Sequence, residues 1–143
     1  MAGSATAGYQ ILVVDDEPTV CKAIQMMLRY YGHQVQTAAD GVAALTLFDA
    51  GHFDLVITDY LMPEMKGDQL VTQIKQRRPG QRIIMATAFA EDFQAFGKPT
   101  GGVDFVLTKP FSLEQLRIAI DQVMAGTPPP PRSQNPKPPG SQV

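Results

Sequence analysis

Residues 9–18 read YQILVVDDEP, a continuous apolar run from Ile11 to Val14 closed by the paired carboxylates Asp15 and Asp16. Four apolar residues without alternation suit a strand buried on both faces, as strands of a parallel sheet are. The same grammar returns further on. Leu55-Val56-Ile57-Thr58 leads to Asp59, and Phe105-Val106-Leu107-Thr108 leads to Lys109-Pro110. Working outward, five runs emerge at Ile11–Val14, Val35–Ala38 (the weakest), Phe53–Thr58, Arg82–Ala86 and Val103–Thr108. Charged side chains therefore follow the ends of strands, where an open parallel sheet binds its ligands.

Helical spacing fills the intervals. Val20, Ile24, Met27, Leu28 and Tyr31 mark a first helix, with Gly32 as its stop. Asp40 caps a second, carrying Ala44, Leu45 and Phe48 and ending near Gly51. Asp68 to Arg77 gives a third, lined by Leu70, Val71 and Ile74 and stopped by Pro79-Gly80. Ser112 and Gln115 form a capping box for the last helix, whose Leu113, Leu116, Ile120 and Val123 face inward. This alternation predicts an α/β fold: a flavodoxin-like, doubly wound, five-stranded parallel sheet of order 2-1-3-4-5. The fourth helix is the weak element. Ala90 to Val103 reads AEDFQAFGKPTGGV, and its proline and glycines leave at most two turns, about residues 91–96, before a loop.

The 143 residues fit one domain, with 44% hydrophobic and 18% charged side chains. A net charge of −2 and the lack of any basic run argue against nucleic-acid binding. Arg77-Arg78, the densest basic spot, reads as a solvated helix end. The single cysteine, Cys21, excludes an intrachain disulfide and reads as a small buried thiol. No apolar stretch approaches the ~20 residues of a membrane span, and nothing resembles a signal peptide, so a cytoplasmic protein without a membrane partner is expected. Residues 1–8 are small and flexible in composition, and 9–126 form the folded unit. Residues 127–143 (TPPPPRSQNPKPPGSQV) hold seven of the twelve prolines. They offer little to bury, so the expectation is a disordered tail or linker, partly polyproline II, serving as a spacer or as a ligand for polyproline-binding domains.

Adjacent carboxylates in Asp15-Asp16-Glu17 repel one another unless a cation binds among them. All-oxygen donors with no paired His or Cys suit Mg²⁺ or Mn²⁺. A carboxylate beside such an ion can attack phosphorus and form an aspartyl phosphate. That transfer depends on positioning and on cancelling charge at the equatorial oxygens. Lys109 supplies a cation and Thr87 a hydroxyl for those oxygens. Taken singly, each residue also has an ordinary reading, as a helix-entry acid, a turn acid, a strand-end threonine or a surface lysine. Their joint fall at strand ends favours the site.

With these residues in view, the sequence resembles the receiver domain of two-component response regulators over about residues 9–125. The resemblance rests on Val13 to Pro18, Asp54 to Asp59, Met62-Pro63, Gly67, Thr87-Ala88 and Lys109-Pro110-Phe111. It implies a phosphorylation-dependent switch rather than a conventional enzyme, with Asp59 as phosphoacceptor, loaded by a sensor histidine kinase or a histidine phosphotransfer protein. By the same resemblance, the metal falls to Asp15, Asp16, Asp59 and the backbone carbonyl of Leu61. The phosphoryl group falls to Thr87, Lys109 and the backbone N–H of Ala88, and the Lys109–Pro110 bond is expected to be cis.

The chain also departs from the family. The position three before the lysine, often aromatic, is Val106. Phe105 lies one residue earlier and so on the opposite face, where ordinary packing is expected. The degraded fourth helix lies in the face that family members commonly use to dimerise, so a monomer or weak dimer is expected. Leu61 and Phe89 flank the position of hydrolytic water and are both apolar, which implies slow dephosphorylation. No DNA-binding output domain is expected after Gly126, and a free-standing regulator is favoured over a receiver fragment of a hybrid kinase or multidomain regulator. A metal-dependent aspartyl-phosphate phosphatase would want an acid where Leu61 stands. A nucleotide-binding flavodoxin-like protein would want a phosphate-cradling loop where Asp-Asp-Glu-Pro stands.

Overall fold

The computed structural model describes residues 8–88 and 102–125. Five strands, β1 (Gln10–Val14), β2 (Gln34–Ala38), β3 (Leu55–Thr58), β4 (Arg82–Thr87) and β5 (Phe105–Thr108), alternate with helices α1 (Pro18–Tyr30), α2 (Gly41–Ala50) and α3 (Gly67–Arg77), and α4 (Leu113–Met124) closes the order. Every neighbouring pair is parallel, and the sheet order is β2-β1-β3-β4-β5. The expected α/β architecture is therefore present. The short helix expected at 91–96 and the Pro-rich tail fall outside the described residues.

Period-two alternation along each central strand divides the core into two layers. Ile11 and Val13, Leu55 and Ile57, and Ile84 and Ala86 pack with Cys21, Ile24 and Leu28 of α1 and Leu116, Ala119 and Ile120 of α4. Leu12 and Val14, Val56, and Ile83 and Met85 pack with Ala44 and Phe48 of α2 and Leu70, Val71 and Ile74 of α3. The edge strand β2 is mostly exposed, burying only Ala38, which is why its run was the weakest. Phe105 joins the α1/α4 layer and Val106 the α2/α3 layer, as a shift of one residue requires.

Local chemistry sets the element ends. Asp40 accepts the Ala43 N–H at the start of α2, and Ser112 and Gln115 satisfy each other's backbone N–H groups at the start of α4. Two carboxylates act at the other edge of the sheet. Asp54 accepts the Gln10 N–H at 2.8 Å while its own N–H bonds the Gln10 carbonyl. Asp104 repeats the arrangement on Ile83. Each closes a strand pair just ahead of its first registered residues, Ile11 with Leu55 and Ile84 with Phe105, and β3 and β5 begin later than the apolar runs suggested.

Arg78 corrects the reading of the basic pair. Its guanidinium stands 5.6 Å from the centre of the Phe48 ring and bonds His52 Nδ1, while Arg77 pairs with Asp49 at 2.8 Å. This end of α3 is thus partly packed onto α2 and is not simply solvated.

Candidate functional site

Parallel strands deliver their carboxyl ends to one edge, and the charged residues that follow them gather there. Asp15 and Asp16 leave β1, Asp59 leaves β3, Thr87 ends β4 with Ala88 in the turn beyond, and Lys109 leaves β5. Asp15, Asp59 and Thr87 are buried, Asp16 and Lys109 half-buried, and Ala88 exposed. Asp15, Asp16 and Asp59 each present a carboxylate oxygen within 4.8 Å of the other two. The Lys109 ammonium stands 2.7 Å from Asp15 Oδ2 and 3.5 Å from Asp59 Oδ2.

Backbone contacts fix the carboxylates. Asp15 Oδ1 accepts the Glu17 N–H at 2.9 Å, and Asp59 Oδ1 accepts the Tyr60 N–H at 2.8 Å. The Asp59 N–H continues the β1–β3 ladder onto the Val14 carbonyl, and the Lys109 N–H donates to the Thr87 carbonyl. The Thr58 hydroxyl donates to the Asp59 carbonyl at 2.9 Å. The Lys109–Pro110 bond is cis. Leu61 lies two residues past Asp59 and is 39% exposed. Phe89 is outside the described residues. Behind the acidic turn, the buried Cys21 thiol donates to the Asp15 carbonyl at 3.3 Å, and burial followed by the charge of Asp15 pushes its pKa up.

Among the described residues, three carboxylates around one ammonium leave the cluster short of positive charge. Burial pushes the Asp59 carboxyl upward, Lys109 opposes this, and Asp15 adds to it, with a net rise. Burial alone would lower the Lys109 ammonium. The hydrogen bond to Asp15 and the charges of Asp59 and Asp15 outweigh that, and its pKa is raised. A set of hard oxygens with an unmet demand for positive charge fits a small dication.

Gly67 has a role that spacing alone does not reveal. Its N–H donates to the Tyr60 carbonyl at 2.7 Å, and a methyl group there would run into the Asp59 carbonyl oxygen and Tyr60 Cα. The first turn of α3 thus presses against the backbone that carries Asp59. Gly67→Ala is expected to destabilise the protein by about 1–3 kcal/mol, as overpacking does. A urea midpoint equal to the parent's would contradict this.

Comparison with known proteins bears on the family and the fold. The response regulator receiver domain family matches residues 11–121. A probable transcriptional regulatory protein of Mycobacterium tuberculosis, TcrX, is 34% identical over 118 residues, which is 82% of this chain and 50% of that protein. The sensor kinase CckA of Brucella abortus is 34% identical over 126 residues, 87% of this chain but 13% of the kinase. The chain thus spans half or less of the length of these relatives. Among solved structures, the receiver domain of a sensor histidine kinase from Pseudomonas aeruginosa superposes with a TM-score of 0.76 at 28% identity, covering 82% of this chain and 98% of that one. That structure has a magnesium ion coordinated in its active-site cleft.

Proposed function

The chain belongs to the response regulator receiver domain family, and from that premise we propose that it is a phosphorylation-dependent switch whose phosphoacceptor is Asp59. The observation that carries the reading is the convergence of Asp15, Asp16 and Asp59 with the ammonium of Lys109 bridging Asp15 and Asp59.

In the proposed reaction an Asp59 carboxylate oxygen attacks the phosphorus of a phosphohistidine on a sensor kinase or phosphotransfer protein. An O–P bond forms, the N–P bond breaks, and the electron pair leaves with the imidazole. Lys109 would pair with the transferred oxygens, helped by the Thr87 hydroxyl and the Ala88 N–H. Asp15, Asp16, Asp59 and the Leu61 carbonyl would hold Mg²⁺ or Mn²⁺, which supplies neutralising charge to the carboxylates and the phosphoryl oxygens. The modified site then shifts a conformational equilibrium and so changes partner binding in the cytoplasm. Among the described residues no helix is long and apolar enough to cross a membrane.

Incubation with acetyl phosphate and Mg²⁺ followed by intact-mass spectrometry tests the proposal. The parent is expected to gain one phosphoryl group and Asp59→Asn none. With Leu61 and Phe89 both apolar, decay of the adduct is expected over minutes or longer. Labelling that persists in Asp59→Asn would displace Asp59 from this role. A second reading, a receiver portion of a larger kinase or regulator, is favoured by the short share of its relatives that this chain spans.

A further inference from the structure

Opposite the acidic edge, a cleft of about 230 Å³ opens between the end of α1, the starts of β1 and β2, and α4. Its walls include Tyr9, Tyr31, His33, Arg117, Ile120 and Asp121. Tyr9 and His33 stack with ring centres 5.5 Å apart and planes 20° from parallel. The Tyr9 N–H donates to His33 Nδ1 and the Tyr31 hydroxyl to the Leu113 carbonyl, so the aromatic walls are held in place. Arg117 pairs with Asp121, also on the cleft wall, at 3.0 Å and with Glu114, one turn earlier in α4, at 3.4 Å, so this face of the helix carries two carboxylates around one guanidinium.

We propose that this cleft is the docking site for the chain's own segment Pro128-Pro129-Pro130-Pro131-Arg132. Four observations carry this. Firm aromatic walls are what a polyproline II segment binds, because its conformation is preformed and little entropy is lost on contact. Ile120 and Asp121 lie in the last turns of α4, so the chain leaves the helix beside the cleft wall. The three residues from Ala125 to Pro128 span roughly 9 Å in an extended proline-like conformation, enough to turn back onto it. Residues 127–143 carry Arg132 and Lys137 and no acidic side chain, which complements the two carboxylates on that face of α4. Finally, the cleft is smaller than the ~300–1,000 Å³ typical of small-molecule pockets. A short tether keeps the segment at an effective concentration on the order of millimolar, so a contact of modest intrinsic affinity is populated.

The test uses the full chain in ¹³C- and ¹⁵N-edited NMR, comparing it with a variant in which Pro128, Pro129, Pro130 and Pro131 are all changed to Ser, and with Arg132→Glu. Docking predicts nuclear Overhauser contacts between prolyl ring protons and the Tyr9 and Tyr31 rings. It also predicts that Tyr9, Tyr31 and His33 resonances move in the proline variant, partly so in Arg132→Glu, at all protein concentrations. Identical spectra in parent and proline variant would overturn the proposal. So would shifts that grow with concentration, which mark a second copy in the cleft, or contacts arising from residues 1–7 instead.

Discussion

Asp59→Asn is expected to unfold at higher urea than its parent at neutral pH in metal-free buffer, although it destroys the proposed acceptor. Asp59 is 9% exposed, and its carboxyl faces Asp15 and Asp16 with the Lys109 ammonium beside it. Burial and Asp15 raise its pKa above the ordinary 3.8 despite Lys109. A carboxyl whose folded value lies above its unfolded one keeps its proton longer in the folded state. Its contribution to stability is complete below the unfolded value and is lost as pH rises through the folded one. The amide does not ionise, so the variant's advantage should be absent in acid and full at neutral pH. Magnesium should reverse the ranking. At a hundred times its Kd a ligand stabilises the folded state by about 2.7 kcal/mol, and a site lacking one carboxylate forfeits most of that. Urea midpoints at acid and neutral pH, with and without Mg²⁺, check both signs. A variant less stable than the parent at neutral pH without metal would refute the electrostatic account.

Lys109→Ala should do the opposite. The ammonium is the cation seen on Asp15, which is 2% exposed, and it also reaches Asp59. Removing one partner of a buried pair strands the other. The Lys109 side chain is 18% exposed, so the loss should fall at about 2–3 kcal/mol, below the figure for a fully enclosed pair. Because the raised ammonium value contributes below its unfolded range, this loss is complete at neutral pH. The same variant should bind Mg²⁺ several-fold more tightly, since the ammonium 2.7 Å from Asp15 Oδ2 no longer competes for that oxygen. Calorimetric titration with Mg²⁺ reads this directly, and weaker binding would show that Lys109 organises the carboxylates instead of competing for them.

The architecture was legible wherever burial was two-sided. Ile11–Val14 and Leu55–Thr58 read as strands because both their faces are covered by helices. The edge strand β2 carried a fainter signal because solvent relaxes the demand on its side chains. The charged residues at the site were legible because a parallel sheet collects the ends of separate strands, so short local motifs predict a long-range cluster. Gly67 was visible only as part of a resemblance. Its physical role lies in a close approach to the Asp59 backbone that no local pattern encodes. The ladder-closing roles of Asp54 and Asp104 went unread for a related reason. Each acts on a neighbouring strand, and a carboxylate before an apolar run looks the same whether it closes a ladder or meets solvent.

Cys21 gives the molecule a built-in reporter. It is the sole thiol of the chain, lodged under α1 with its hydrogen directed at the carbonyl of Asp15. A disulfide reagent can reach it only when that helix lifts away from the sheet, so labelling kinetics count those excursions. Comparing the rate before and after acyl-phosphate loading would reveal whether the chemistry at one end of the strands loosens or clamps the helix beside it.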